Sequence, residues 1–240
     1  MPNTYFQFKQ FTIHHDRCAM KVTTDGCLFG AWCAEEIKKG KKKIENALDV
    51  GTGTGLLSLM VAQKNEVEID AVEIDAEAVG QAKENIAASP WKDQVSITNA
   101  DVLLWKNTKQ YDCILSNPPF YQNELRSDKA EKNTAHHDTG LTLDQLFVFI
   151  KNSLQPDGIF FLLLPAKREE EVEQLLNNQG LFINKKIVVR QTTQHQPFRL
   201  IIKGGKMKAA TVVEEMAIKG EDNQYTPEFI ALLKDYYLYL

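Results

Sequence analysis

The residues Asn117-Pro118-Pro119-Phe120 join an amide, two prolines and an aromatic ring directly after the apolar run 111–116. Proline holds φ at about −65°, so such a turn is rigid. It can present two hydrogen-bond acceptors, the side-chain oxygen of Asn117 and the carbonyl oxygen of Pro118, beside a ring on which a base can stack. Two acceptors can hold an exocyclic amine with its lone pair turned out of the ring plane. A plain proline turn, with Asn first and Phe in the core, is the alternative interpretation.

A glycine-rich turn forms a second candidate site. Asp49 precedes Gly51, Gly53 and Gly55, and the whole turn follows a run of strand-forming residues. Glycine lets a backbone bend sharply and lets a ligand approach closely. Glu73 lies about twenty residues further on, where a carboxylate can accept both hydroxyls of a ribose. The order of these residues predicts an adenosine-containing cofactor.

Charge and spacing indicate which cofactor this is. A pyrophosphate at this turn would be repelled by Asp49, and the spacing G-x-G-x-G differs from the dinucleotide pattern G-x-G-x-x-G. S-adenosylmethionine carries an ammonium and a sulfonium, which an acidic site favours. Asp101 can accept from the adenine amino group, and Ile74 can pack on the adenine face. Each aspartate taken alone is more often a turn residue, but the ordered set predicts S-adenosylmethionine.

The elements that carry these residues alternate between strand and helix, which predicts an α/β, doubly wound, mainly parallel sheet. The expected helices cover 56–64, 76–89, 141–154 and 168–180, with Thr142 and Asp144 as candidate caps and Gly180 as a stop. The expected strands cover 43–50, 67–75, 94–101, 111–117, 157–166, 183–190, 198–204 and 210–218. We expect a single domain, with a hairpin and lid in 1–42, a catalytic core in 43–205 and a terminal strand and helix in 206–240.

Composition excludes several classes of protein. With 240 residues and 43% hydrophobic content the chain can bury a full core. The longest apolar run, 159–166, is far shorter than the ~20 residues of a membrane span, and the first residues do not resemble a signal peptide. The four cysteines lack the paired spacing of a zinc site, and the histidine pairs 14–15 and 136–137 lack helical i, i+4 spacing. The prediction is a cytoplasmic protein without a metal or membrane partner.

The charge distribution suggests a polyanionic partner, although the net charge is −4. No Asp or Glu occurs in the stretch 174–213, which carries seven cations, and a second basic cluster lies at 38–43. Local positive surfaces can attract nucleic acid on an acidic protein. For the cluster 38–43 alone, a solvated face is an equally good interpretation. Three cations follow the proline turn and are expected to bind a phosphate: Arg126, Lys129 and Lys132.

Four segments, LDVGTGTG, AVEID, NAD and NPPF, resemble the successive motifs of class I S-adenosylmethionine-dependent methyltransferases. The resemblance implies a Rossmann-like, seven-stranded fold, and NPPF is similar to the signature of the branch that methylates exocyclic nitrogens of purines or the amide of glutamine. The segments 21–32, 225–229 and 235–238 are similar to the bacterial tRNA-valine adenine-37 N6-methyltransferase family. That resemblance implies methylation of an adenine in a tRNA anticodon loop. Lys21 and Thr23, just before the core, are expected to cover the cofactor, with the Lys21 ammonium near its carboxylate; a plain surface lysine is the alternative interpretation. Thr23 stands where the family pattern has glycine.

Other functions stay open at this point. The turn at Asn117 could serve the N2 amine of guanine in ribosomal RNA, or a glutamine amide in a protein. The chain could also be a module that binds RNA without turnover. The side-chain oxygen of Asn117 would accept from adenine or guanine alike, so the residues do not distinguish these bases, and they leave the oligomeric state open.

Overall fold

The computed structural model describes residues 3–119 and 140–240 of the chain. An N-terminal hairpin pairs β1 (Tyr5–Gln7) with β2 (Thr12–His14). The remaining strands are β3 (Asn46–Val50), β4 (Glu68–Glu73), β5 (Val95–Asn99), β6 (Tyr111–Ser116), β7 (Leu154–Pro165), β8 (Phe182–Thr192), β9 (Pro197–Gly205) and β10 (Val212–Lys219). The helices are α1 (Thr24–Lys39), α2 (Leu56–Ala62), α3 (Ala76–Ala87), α4 (Leu143–Ser153), α5 (Glu169–Asn178) and α6 (Pro227–Leu233).

The central sheet has the strand order β10-β8-β9-β7-β6-β3-β4-β5. Strand β9 is antiparallel to both of its neighbours, and the other pairings are parallel. Helices α1, α2, α3 and α6 contribute to the apolar layer on one face, and α4 and α5 contribute to the layer on the other. Side chains of β7 alternate between the layers, with Phe161 in the first and Phe160 in the second. The predicted doubly wound α/β class is confirmed.

The sheet contains eight strands, as apolar periodicity predicts, whereas the family resemblance implies seven. The additional strand, β10, extends the sheet by pairing in parallel with β8. It is mostly exposed, and ion pairs from Lys185 to Glu214 (3.0 Å) and from Arg190 to Glu215 (3.4 Å) link it to β8. The strand expected at 210–218 is therefore present, and side-chain charges help to hold it at the edge of the sheet.

Helices α3 and α4 begin at residues whose side chains accept hydrogen bonds from the first turn of the helix. Thr142 caps α4, and its hydroxyl accepts from the backbone N–H of Gln145 while the Gln145 side chain accepts from the Thr142 N–H. Asp75 caps α3 by accepting from the Ala78 N–H at 2.9 Å. The predicted cap Thr142 is therefore confirmed, while Asp144 lies in the first turn of α4.

The two ends of the chain meet on the layer that holds α1 and α2. The Phe8 backbone bridges to Tyr237, and the Tyr236 hydroxyl donates to the Met60 carbonyl in α2 at 2.8 Å. Thr226 caps α6. The C-terminal segments singled out in the sequence thus anchor the termini to the core. Within the described ranges, no helix is both long enough and apolar enough to cross a bilayer, and no cluster of three or more potential metal ligands occurs.

Candidate functional site

The candidate site lies where β4, β3 and β6 end side by side. Val50 pairs with Val72 on one side and with Ser116 on the other. The Ser116 hydroxyl donates to the Val50 carbonyl at 2.8 Å and ties these ends together. The glycine turn follows β3, Asn117 follows β6, and Glu73 is the last residue of β4, so the structure brings the three predicted elements to one edge of the sheet.

The glycine turn has the conformation that its residues predict. Gly51, Gly53 and Gly55 have φ of +71°, +55° and +81°, which side chains with a Cβ rarely adopt. A Cβ built on Gly51 or Gly53 would meet nothing within 4 Å, so these two positions face open space. The requirement for glycine at both is conformational, and the open space is available to a ligand.

Asp49 lies beneath this turn and is fully buried. Its Oδ2 accepts from the hydroxyls of Thr52 and Ser58, both at 2.7 Å, whereas its Oδ1 has no partner among the described atoms. Burial raises the pKa of Asp49 to about 6, although the two hydroxyl bonds act to lower it. A buried acceptor without a donor is costly, so this oxygen fits a cationic donor supplied by a ligand.

The Glu73 side chain links the end of β4 to the glycine turn by a hydrogen bond. One carboxylate oxygen accepts from the Gly53 N–H at 2.9 Å and the other from the Asp75 N–H at 3.0 Å. A carboxylate has about four acceptor positions, so capacity for ribose hydroxyls remains. Asn99, which sequence reasoning missed, donates to the carbonyls of Glu73 and Ile74, both at 3.0 Å.

Two further predicted residues lie next to Glu73. The Ile74 side chain is 67% exposed, which leaves an apolar surface free to cover an aromatic ring. Asp101 is half-buried and its Oδ1 accepts from the Leu103 N–H at 2.9 Å. Both positions are compatible with an adenine placed beyond the ends of β4 and β5.

The Asn117 side chain keeps its acceptor oxygen unused. Its Oδ1 is buried and has no partner in the described part of the chain, and its Nδ2 lies 3.7 Å from the Met20 sulfur. Pro118 is buried and Pro119 is exposed. Phe120 lies outside the described residues, as do Arg126, Lys129, Lys132 and the histidines at 136 and 137. The amide that the sequence predicts to hold an amine is therefore next to the glycine turn, and no donor of the described residues occupies its oxygen.

Residues 15–23, here called the strap, run from the N-terminal hairpin across this edge to α1. Asn85 of α3 anchors its start: Oδ1 accepts from the His14 N–H at 3.0 Å, and Nδ2 donates to the carbonyls of His14 and Thr54, both at 2.9 Å. Gln81 accepts from the Arg17 N–H at 3.1 Å. Sequence reasoning missed both residues. One signal could have indicated them. Gln81 and Asn85 are polar residues four positions apart, and they lie on the buried face of α3 that also holds Ala82 and Ile86.

The strap passes over the cofactor residues before it reaches Asn117. The pKa of Cys18 rises to about 11 because of burial and the nearby carboxylates of Glu73 and Asp75. Lys21 is exposed, and the Thr23 hydroxyl caps α1 by accepting from the Gly26 N–H at 3.3 Å. Threonine in place of the family's glycine therefore serves as a helix cap here.

Five of the seven cations in the stretch 174–213 form ion pairs, which the charge count along the sequence did not indicate. Acids from α1, α5 and β10 lie against these cations, because the fold places these elements around β8 and β9. The ion pairs join Lys185 to Glu36 and Glu214, Lys186 to Glu169 and Glu173, Arg190 to Glu215, Arg199 to Asp25, and Lys203 to Glu36. Lys42 of the other basic cluster pairs with Asp112 and Asp157 near the opposite edge of the sheet.

Comparison with known proteins gives consistent matches. A family model described as "Methyltransferase small domain" matches residues 34–192. A protein of Phocaeicola vulgatus named tRNA1(Val) (adenine(37)-N6)-methyltransferase is 39% identical over 238 residues, which cover 99% of each chain. Proteins with the same name are 37% identical in Bacteroides thetaiotaomicron, over 100% of each chain, and 37% identical in Pectobacterium carotovorum, over 98% of this chain and 94% of the relative.

Solved structures share the fold. A protein of Agrobacterium tumefaciens described as a predicted O-methyltransferase superposes with a TM-score of 0.63 at 15% identity, over 88% of this chain and 96% of that chain. The glycopeptide N-methyltransferase MtfA, solved with S-adenosylmethionine, superposes with a TM-score of 0.55 at 12% identity, over 74% of this chain and 94% of that chain.

Proposed function

Because this chain belongs to the family of tRNA1(Val) (adenine(37)-N6)-methyltransferases, we propose that it methylates N6 of adenine 37 in a valine tRNA with S-adenosylmethionine. The observation that carries the proposal is the Asn117 Oδ1 beside the glycine turn, which is buried and has no partner within residues 3–119 and 140–240. A reaction on tRNA would take place in the cytoplasm. Adenine 37 belongs to a single-stranded loop, whose bases can be unstacked and read by a protein.

The residues around the glycine turn fit the cofactor. The unpartnered Oδ1 of Asp49 suits the ammonium, Glu73 the ribose hydroxyls, and Ile74 and Asp101 the adenine. When bound, S-adenosylmethionine supplies a methyl group made electrophilic by its sulfonium. Lys21 and Thr23 lie in the strap, so Lys21 is within the segment that covers this site.

The proline turn would orient the amine of the target base. Asn117 Oδ1 and the Pro118 carbonyl each accept one N–H, which directs the nitrogen lone pair out of the plane of the ring. Proximity and orientation of this kind can lower a barrier by roughly 7–11 kcal/mol. Phe120 would stack on the base. The nitrogen becomes acidic once it carries the methyl group, so its proton can pass to water without a general base.

A direct assay tests the proposed function. The protein is incubated with labelled S-adenosylmethionine and unmodified tRNA1(Val), and the nucleosides are then mapped. We expect N6-methyladenosine at position 37 and no label in a transcript whose adenine 37 is replaced by guanine. Label on guanine, or an N6-methyladenosine at another position only, would refute the substrate assignment.

Asn85→Ala is expected to loosen the strap and weaken cofactor binding. The change removes three hydrogen bonds that join His14 and Thr54 through one buried amide. We expect trypsin to cleave after Arg17 or Lys21 several-fold faster. The Kd for S-adenosylmethionine should rise by about 10- to 150-fold, since the three lost bonds contribute about 1 kcal/mol each. Lys83→Ala, at an exposed position of the same helix, is the control. Unchanged cleavage in Asn85→Ala would show that Asn85 does not hold the strap.

A further inference from the structure

A second pocket opens at the same edge of the sheet as the candidate site. It has a volume of about 600 Å³, and its lining includes Gln191, His195, Phe198, Lys219, Asn223 and Tyr225. These residues belong to the end of β8, the turn into β9, and the end of β10 with the segment that follows it. Since β8 and β10 run parallel to β6, these ends lie on the side of the sheet where Asn117 is found.

The pocket is close enough to Asn117 for one RNA loop to reach both. Phe198 lies on β9, two strands from β6, a separation of roughly 10 Å. The strap provides a second link, because Met20 contacts Asn117 and Asp25, five residues later, lines the pocket. Five residues span at most about 18 Å. This distance corresponds to a few nucleotides of a single strand.

The lining has the chemistry that unpaired nucleotides need. His195 and Phe198 offer rings, Gln191 and Asn223 offer amides that can pair with a base edge, and Lys219 offers a cation. Lys219 Nζ donates to Asn223 Oδ1 at 3.1 Å and lies 5.5 Å from the centre of the Tyr225 ring. No carboxylate of the described residues lies within ion-pair distance of it.

The carboxylate of Asp25, which also lines the pocket, is neutralised by an ion pair and would repel a phosphate only weakly. Asp25 is bound by Arg199, with 2.7 Å between Asp25 Oδ2 and Arg199 Nε. His195 is exposed, and its Nδ1 lies 2.5 Å from the Thr192 hydroxyl, which fixes the ring at the rim. A stacking ring held in place and an ammonium without a carboxylate partner therefore lie in one cavity.

We propose that this pocket binds a second nucleotide of the tRNA loop, with its base against His195 and Phe198 and its phosphate near Lys219. The inference rests on the proposed tRNA substrate and adds a binding site separate from Asn117. A nucleotide bound in this pocket would fix the position of the RNA loop while the target adenine lies against the turn at Asn117.

The proposed site can be tested by removing single bases from the tRNA and measuring the effect on binding to wild type and to a pocket variant. A set of tRNA1(Val) molecules, each lacking one base of the anticodon loop other than base 37, is titrated with wild type and with His195→Ala. At one position we expect base removal to weaken wild-type binding about 5- to 50-fold, as stacking energies suggest, but to have less than a twofold effect in His195→Ala. Equal losses in both proteins at every position would overturn the proposal.

Salt dependence tests the phosphate contact. Lys219→Ala is expected to reduce the slope of log Kd against log salt by about 0.7, the value for one phosphate of a single strand. Lys92→Ala, an exposed cation just before the start of β5, is the matched control and should leave the slope unchanged. An unchanged slope in Lys219→Ala would remove Lys219 from the site. Methylation by wild type is scored separately, so absence of N6-methyladenosine would reject the proposed function without deciding the binding result.

Discussion

Asn117→Ala is expected to reduce the rate of methyl transfer by a factor on the order of 10²–10³ while the Kd for S-adenosylmethionine stays within about twofold. The magnitude follows from removal of one preorganised hydrogen-bonding group at a reacting centre. The Asn117 oxygen is buried and has no donor among the described residues, so we propose that its partner comes from the substrate. Single-turnover kinetics with excess enzyme and a separate calorimetric titration of the cofactor measure the two quantities.

Two further variants make this test specific. Asn117→Asp keeps an acceptor oxygen and is expected to retain at least tenfold more activity than Asn117→Ala. Asn152→Ala, at an exposed position of α4, should behave as wild type. If Asn117→Ala lost cofactor affinity and turnover in equal proportion, the side chain would be part of the cofactor site and would not orient the amine.

Asp49→Asn is expected to weaken S-adenosylmethionine binding about 10- to 150-fold. A hydrogen bond between charged groups contributes about 1.5–3 kcal/mol. We propose that Asp49 Oδ1, which has no partner among the described residues, accepts from the ammonium. Affinity in wild type should also fall as the pH drops below about 6, where the raised pKa of Asp49 lets the carboxylate protonate. Calorimetry between pH 5 and 8 checks both effects.

The same substitution should change how stability depends on pH. The pKa of Asp49 rises from 3.8 to about 6 on folding because of burial, so the folded state binds this proton more tightly than the unfolded state. Asp49 therefore lowers the free energy of unfolding of the ligand-free protein as the pH rises from about 4 to 6, by up to about 3 kcal/mol.

Urea unfolding across this pH range tests the stability effect. Asp49→Asn should remove that decrease and unfold at higher urea than wild type near pH 7.5. The control is Asp93→Asn, which changes an exposed carboxylate between α3 and β5. If the pH dependence persisted in Asp49→Asn, another group would have to be responsible for it.

Much of the fold and part of the site followed from patterns that are local in the chain. The turn at Gly51–Gly55 needs positive φ, Thr142 needs only the residue three positions on, and apolar periodicity separates strands from helices. Because the carboxyl ends of neighbouring parallel strands meet, the order of Asp49, Glu73 and Asn117 was enough to predict that they converge. Strand ends were less well predicted: β4 stops at Glu73 because Asp75 already caps α3.

Tertiary structure alone decided the features that join distant parts of the chain. Asn85 holds the strap through bonds to His14, 71 positions away, and Asp25 neutralises Arg199, 174 positions away. A count of charges along the sequence cannot include acids brought in by other elements, and five of the seven cations in the stretch 174–213 form ion pairs with such acids. The pocket at His195 and Lys219 likewise exists only because the ends of β8 and β10 lie beside α1. Hydrogen bonds and ion pairs depend on distances of a few ångströms, and only packing of the chain determines those distances.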